Sequence, residues 1–410
     1  MINNSLYRPR IIPILGNVDS AEIDRAQTID PTVALNRDKV EEIGRAGAVG
    51  YLKKSPTIGY RLTQLEYGDI EFWEKLICSE GHGESGEEPI TLDDFKTSYF
   101  DICAYLTDDD GTFRGTYHYP ALRTSGFSIG IGDPQARIER NFDFVGEEAI
   151  IWQGENKYLI VGSYTWESID TYVDLSGSGI QEPAKDPDNE DYILRVVKTT
   201  GLVSVELAKT EYTYDENTKH LTITSAVAGD VIKYWYTSAD EPDEIFTPND
   251  SIAGLTGDCV SIYLYVPASG KPSATDYVYR LQSATIDAKF TREDLREIGN
   301  KNVVQRGIKE NVVTISLARI LEQWTIEEIL RGVDTGYGKI DVSKLTDQAV
   351  LIVKIYDDNT KTNFKYGFKA TGLTPSDLKG TVAVGEYVKA DNTLIGEELI
   401  ITTDETELGI

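Results

Sequence analysis

Arg25-Ala-Gln-Thr-Ile-Asp-Pro-Thr-Val-Ala-Leu35, continuing as Asn36-Arg-Asp-Lys-Val40-Glu-Glu-Ile43-Gly44, returns without a gap about 255 residues later. The second copy reads Arg280-Leu-Gln-Ser-Ala-Thr-Ile-Asp-Ala-Lys-Phe290, then Thr291-Arg-Glu-Asp-Leu295-Arg-Glu-Ile298-Gly299. Arg25, Gln27, Arg37, Glu42, Ile43 and Gly44 meet Arg280, Gln282, Arg292, Glu297, Ile298 and Gly299. Further on, Val49, Lys54 and Leu62 meet Val304, Lys309 and Leu317. A second block, Gly146-Glu-Glu-Ala-Ile-Ile151, recurs as Gly396-Glu-Glu-Leu-Ile-Ile401. Two blocks in the same order at nearly the same spacing imply one unit present twice, with extra material between the copies. Two copies at so long a period argue against a solenoid or propeller.

Each copy begins extended. Asn36 and Thr291 then stand where a helix N-cap belongs, and Leu35 with Val40, and Phe290 with Leu295, keep hydrophobic-staple spacing. Gly44 and Gly299 suit a left-handed C′ position. This predicts short helices over 36–44 and 291–299. Connectors bearing Lys53, Lys54 and Lys309 lead into alternating strands. One carries Ile58, Tyr60, Leu62 and Gln64 on a single face; the other carries Val313, Ile315, Leu317 and Arg319. Second helices are expected over Asp69–Cys78 and Thr325–Arg331. The later part of each unit reads as a hairpin. One spans Phe100–Tyr119 around Asp108-Asp109-Asp110-Gly111, and the other spans Val350–Lys369 around Asp357-Asp358.

Between the copies, Tyr192–Val197, Val203–Leu207, Tyr212–Tyr214, Leu221–Ile223 and Val231–Tyr236 read as short strands with frequent turns. The chain therefore divides into a first unit over 1–180, a β-rich insertion over 181–247 for which an immunoglobulin-like sandwich is one option, and a second unit over 248–410. The fold class is mainly β (α+β): two copies of a unit of about six strands with one or two short helices, plus the small insertion.

Asp and Glu number 68 against 40 Lys and Arg, a formal charge of −28. Such a surface repels a phosphate backbone, which disfavours specific nucleic-acid binding. The three cysteines have no CxxC spacing and suggest neither a metal cluster nor a disulfide framework. No apolar run reaches the roughly 20 residues of a membrane helix. The start lacks the pattern of a Sec signal, so synthesis in a cytoplasm is expected. Gly126–Gly132 contains GxG without a βαβ context, and Gly81–Gly86 lacks the last glycine of a nucleophile elbow. Asp108–Gly111 lacks a twelfth-position Glu, and Asp186, Asp188, Glu190 and Asp191 are a weak calcium pattern. His82, His118 and His220 are scattered. No catalytic, cofactor-binding or metal residues are assigned, and the expectation is a protein that is not an enzyme and needs no cofactor.

The succession over Leu35–Leu76 with Phe100–Ile151, and again over Phe290–Leu330 with Val350–Ile401, resembles phage tail tube proteins. The resemblance implies that each unit is a β-sandwich domain with short flanking helices, in a structural virion protein, made in the host cytoplasm, whose sheet joins those of neighbouring copies in a ring. Rings stack into a tube that conducts DNA. Most members carry one such domain in hexameric rings, so two domains per chain imply a pseudo-hexameric trimer with a barrel of about 12 strands or more. The implied partners are further copies of the chain, other tail proteins, and tape measure protein and DNA passing through the lumen, with no membrane insertion. The insertion is expected on the ring exterior and the two hairpins at the bore or its rim. Lys53, Lys54, Lys309, Asp108, Asp109, Asp110, Asp357 and Asp358 are the expected contacts between rings or subunits. The competing readings are another tail or baseplate component, and an acidic adhesin-like surface protein.

Overall fold

The computed structural model describes residues 8–15, 23, 25–35, 37–41, 48–53, 56–77, 86–96, 98, 100–107, 113–146, 149–153, 158–177, 180–185, 191–200, 203–239, 254–267, 278, 281–295, 305–321, 325–331, 345, 348–381 and 387–409. The first unit runs β1 (Arg8–Leu15), β2 (Ala26–Ala34), β3 (Arg37–Glu41), β4 (Ala48–Lys53), β5 (Thr57–Leu65), α1 (Glu71–Ile77), β6 (Ile90–Thr91), β7 (Phe100–Thr107), β8 (Phe113–Ile131), β9 (Glu139–Gly146) and β10 (Ile150–Gln153). The middle segment supplies β11 (Tyr158–Thr165), β12 (Val173–Asp174), β13 (Pro183–Ala184), β14 (Ile193–Thr200), β15 (Val203–Glu206), β16 (Tyr212–Asp215), β17 (His220–Ile223) and β18 (Val231–Ser238). The last part holds β19 (Val260–Tyr265), β20 (Leu281–Leu295), β21 (Gln305–Ile320), α2 (Thr325–Arg331), β22 (Ala349–Tyr356), β23 (Phe364–Thr381), β24 (Lys389–Gly396), β25 (Glu398–Thr402) and α3 (Glu405–Leu408). The fold is mainly β with short helices.

The repeated residues form ladders that repeat in register. β2 pairs β5 from Ala26↔Gln64 to Ala34↔Thr57, and β20 pairs β21 from Leu281↔Arg319 to Lys289↔Val312. Both ladders shift register beside the same repeated residue, Gln27 in one and Gln282 in the other, which is left over as the extra residue of a β-bulge. β5 pairs β9 as β21 pairs β24: Ile58↔Gly146 becomes Val313↔Gly396. β7 pairs β8 as β22 pairs β23, with the bulge after Phe100 recurring after Ala349. The repeated glycines have a steric cause. A Cβ on Gly146 would stand 2.9 Å from Leu122, and one on Gly396 would stand 2.8 Å from Leu373.

Of the segments expected to be helical, 36–44 and 291–299, the described residues 37–41 and 291–295 are strand instead, and the rest lie outside the described residues. β3 and the end of β20 are strands, paired with β4 and with the start of β21, and Arg37↔Lys53 matches Arg292↔Ile308. The capping pattern covers too few residues to carry a helix in water. Extending an existing ladder costs less than nucleating a new element. The second helices do form, as α1 and α2. On α1, Phe72, Trp73 and Leu76 are buried, and Trp73 sits edge-on to Phe127, Phe142 and Phe368.

One ladder crosses both units in the order β23-β24-β21-β20-β8-β9-β5-β2. Its inner face alternates buried residues such as Tyr60, Phe127, Phe142, Ile286, Ile315 and Leu394. β1, β7 and the first half of β8, with their counterparts β19, β22 and the first half of β23, form the facing layer. β22 is buried at every residue, so this hairpin strand does not face solvent.

The insertion is a sandwich of two sheets, β11-β18-β14-β15 with β13, and β12-β17-β16. β11 pairs β18 along its whole length, which carries the insertion's sheet back to Tyr158, ahead of the boundary expected at residue 181. Its core takes in Cys103 and Tyr105 of β7, so it packs on the facing layer, away from the long ladder. Tyr105 donates to the Leu159 carbonyl at 2.5 Å. Buried Asp101 accepts from Arg195 at 2.8 Å, from His118 Nε2 at 2.9 Å and from the Ala121 N–H at 2.8 Å. Burial works to raise the Asp101 pKa. The Arg195 charge, His118 and the Ala121 N–H more than reverse this and hold it below its ordinary value. The pair therefore contributes stability at neutral pH, and that contribution is lost as the pH falls through the lowered pKa. Asp101→Asn leaves Arg195 its pairing with Glu206 and is expected to weaken docking by about 1.5–3 kcal/mol, the loss of charge-assisted hydrogen bonds. Urea unfolding combined with limited proteolysis of the insertion checks this, and wild-type values would refute it.

Candidate functional site

The two units meet along β20 and β8, from Ala284↔Ile131 to Lys289↔Gly126. At the last pair only glycine fits, since a Cβ on Gly126 would lie 2.9 Å from the Ala288 carbonyl. Phe290 then stacks on Phe95 at 5.5 Å and leans on Phe127 at 6.1 Å. Arg292 closes the junction. Its Nε donates to the Thr124 carbonyl at 2.8 Å, its second amino group to the carbonyls of Thr124 at 2.6 Å and Phe95 at 2.8 Å, and its first to Lys96 O at 3.4 Å. Deeper in, Tyr366 donates to Glu66 at 2.5 Å, and Arg140 Nε lies 3.4 Å from the same carboxylate. Burial disfavours the Arg140 charge, but Glu66 outweighs it and the guanidinium is held above its ordinary pKa. Burial, then Glu66, raises Tyr366, so its hydroxyl stays a donor. Finally, β6 of the first unit pairs β25 of the second.

At the two ends of the long ladder, half of such a junction stands alone. β2 is the counterpart of β20. It pairs β5 on one side, and among the described residues no strand pairs its other side. The second half of β23 is the counterpart of the part of β8 that receives β20. It pairs β24 and, among the described residues, nothing opposite. Burial follows the same division. Leu35 is 65 % exposed and its counterpart Phe290 3 %; Val33 is 48 % exposed and Ala288 0 %. Ile151 is 53 % exposed, whereas Ile401, covered by β6, is 1 %. A chain with two complementary half-junctions can bind a copy of itself head to tail, the geometry that closes rings.

The residues expected at contacts are dispersed. Lys53 ends β4, opposite Arg37. Lys54 and Asp108, Asp109 and Asp110 lie outside the described residues. Asp357 and Asp358 shape the turn after β22. Asp357 accepts from the Asn363 side chain at 2.8 Å, and Asp358 accepts from the Thr360 N–H at 2.9 Å. Exposed Lys309 lines a cleft of about 800 Å³ at the junction, with Asp93, Glu310, Glu397 and Glu398 also on its wall. Sequence reasoning paired Arg37 with Arg292 and Leu35 with Phe290 without assigning them to an interface, because an arginine and an apolar residue in a strand are ordinary until the partner surface is known. No group of three or more His, Cys, Asp or Glu positioned to hold a metal occurs among the described residues.

No protein-family model matches the sequence, and no curated protein matches it closely. Among solved structures, a chain of the "Cryo-EM structure of the anti-feeding prophage (AFP) baseplate, 6-fold symmetrised" aligns with 37 % of this chain and 98 % of its own length. The identity is 11 % and the TM-score 0.28, a likeness too slight to bear on fold or function.

Proposed function

We propose that this chain is a structural subunit of a phage tail, a tube protein that closes into rings of three chains. The rings stack into a conduit for DNA ejection. The observation that carries this reading is the pair of complementary open edges, β2 and the end of β23, at opposite ends of one continuous ladder. Each chain contributes eight strands to that ladder, so three chains close a barrel of 24. Closure removes the exposed edges, which are otherwise a liability. In this arrangement the solvent face of the ladder lines the bore, in place of the hairpins. That face carries Ser128, Glu139, Asn141, Asp143, Asp287 and Asp391; its cations Arg61, Lys289 and Lys379 are paired with Asp143, Asp287 and Asp377, which leaves little positive charge for DNA to adhere to. The insertion, packed on the opposite layer, falls on the exterior. The subunit needs neither a catalytic site nor a cofactor, and its further partners are other tail proteins and tape measure protein. Electron microscopy of purified protein tests this: rings or striated tubes support it, and dispersed single chains refute it.

Lys53, Lys54 and Lys309 are proposed to pair with acidic groups of the next ring. Each exposed pair contributes only about 0–1 kcal/mol, but a ring repeats them. Changing all three to Glu is expected to weaken stacking at low salt while single rings persist. Sedimentation across salt concentrations checks this, and stacking like that of the parent at every salt would contradict it.

A further inference from the structure

The junction inside the chain is a template for one between chains, and using it as such rests on the reading of the chain as a ring subunit. We propose that Arg37 is the clamp between protomers: its guanidinium binds the Pro375 and Leu345 carbonyls of a second copy, while β2 adds to that copy's β23 with Thr32 opposite Lys379.

Each element of this assignment comes from an observed counterpart. Arg37 and Arg292 occupy the same ladder position, opposite Lys53 and Ile308 respectively. Arg292 spends its guanidinium on backbone carbonyls of Thr124 and Phe95 in the other unit. Thr124 pairs Phe144 immediately before a bulge, and Pro375 pairs Leu394 immediately before the same bulge, so Pro375 is the counterpart of Thr124. Phe95 follows Ile90 and Leu92 as Leu345 follows Ile340 and Val342. Phe95 is buried, and Leu345 is partly buried against the same core. The register transfers likewise: Asp287↔Ser128 becomes Thr32↔Lys379, and Ala288↔Phe127 becomes Val33↔Leu378.

The pieces are also in the right state. Arg37 and Leu35 are exposed, whereas their counterparts reach into the first unit; Leu378 is half-buried where Phe127 is 1 % exposed. The copied junction has two departures. Pro31 stands where β20 has Ile286 and has no N–H to give. Asp377 stands where β8 has Gly126, so the closest backbone approach of the template is not reproduced there. Both make the strand pairing between chains weaker than that within the chain and leave more of the contact to Arg37. Backbone carbonyls suit this role because their position is fixed by the ladder, and a planar guanidinium spans two of them where an ammonium reaches one.

The test uses the full chain. Arg37→Ala is expected to weaken trimer formation by roughly 10- to 100-fold per junction, the loss of charge-assisted hydrogen bonds. Arg37→Lys should recover little of it, and circular dichroism should be unchanged in both because Arg37 is exposed. In parallel, Thr32→Cys with Lys379→Cys is treated with a short thiol crosslinker; the control is Thr28→Cys with Lys379→Cys, displaced by about four residues along the strand. The in-register pair should give covalent species up to three chains and the control should not. Trimers of the Arg37→Ala variant as tight as the parent's overturn the clamp. Trimers of the parent with no crosslink from the in-register pair overturn the register. A parent chain that never associates overturns the ring reading itself, with folded monomers as its signature.

Discussion

Val33→Asp combined with Leu35→Asp is expected to abolish ring assembly while leaving the fold intact. Both side chains are largely exposed in the single chain, 48 % and 65 %, so the substitutions disturb no core. Their counterparts Ala288 and Phe290 are buried by the neighbouring unit, so in a ring these positions are expected to be buried too. Each new carboxylate would then be desolvated without a partner, at several kcal/mol. Two per junction should raise the concentration needed for assembly by on the order of 100-fold or more. Analytical ultracentrifugation reads this directly. The matching control is Phe290→Asp, which places a carboxylate beside Phe95 and Phe127 and should unfold the chain instead of dissociating it. Assembly of the double variant at parental concentrations would show that β2 is not an interface.

Arg140→Met is expected to cost about 3–5 kcal/mol of stability, because it strands Glu66 in the core. Both residues are fully buried, and Glu66 accepts from Tyr366 and from the N–H groups of Tyr67 and Gly68. Arg140 also donates to Gln64 at 2.9 Å and lies over the rings of Tyr67 and Phe72. Replacing both partners, Glu66→Gln with Arg140→Met, should cost less than Arg140→Met alone, since no bare charge remains. Urea unfolding of the parent, both single variants and the double variant decides the matter, and additive losses would contradict it. This network has no copy in the second unit, where Leu321 and Ala390 stand at the matching positions. The second unit instead buries a different set, Arg319 and Asn392 against Glu327.

The repeat was legible in the sequence because its identical residues sit where geometry is least forgiving. Gly146 and Gly396 lie under Leu122 and Leu373, Gln27 and Gln282 fill bulges, and Leu62 and Leu317 fill the core. The alternating strands followed from periodicity, and α1 and α2 fall within the segments expected to be helical. The segments after Leu35 and Phe290 misled because a cap, a staple and a terminal glycine are local signals, while the pairing partners of β3 and β20 are set by the chain elsewhere. The start of the insertion was missed for a related reason: Tyr158–Thr165 reads as a continuation of the first unit until its pairing with β18 is seen. The candidate surface was the least legible part. Charge pointed to lysines and aspartates, whereas Asp357 and Asp358 serve their own turn. The edge that lacks a partner is defined by topology, which no short motif encodes.

The mass of the assembled species in solution tests the central claim most directly. Each chain is 45.6 kDa. Native mass spectrometry of the purified protein, at salt that suppresses stacking, should find closed species of three chains and their multiples. A single-chain mass persisting across the whole concentration range, or a smallest assembly of six chains with no three-chain species, would contradict the account.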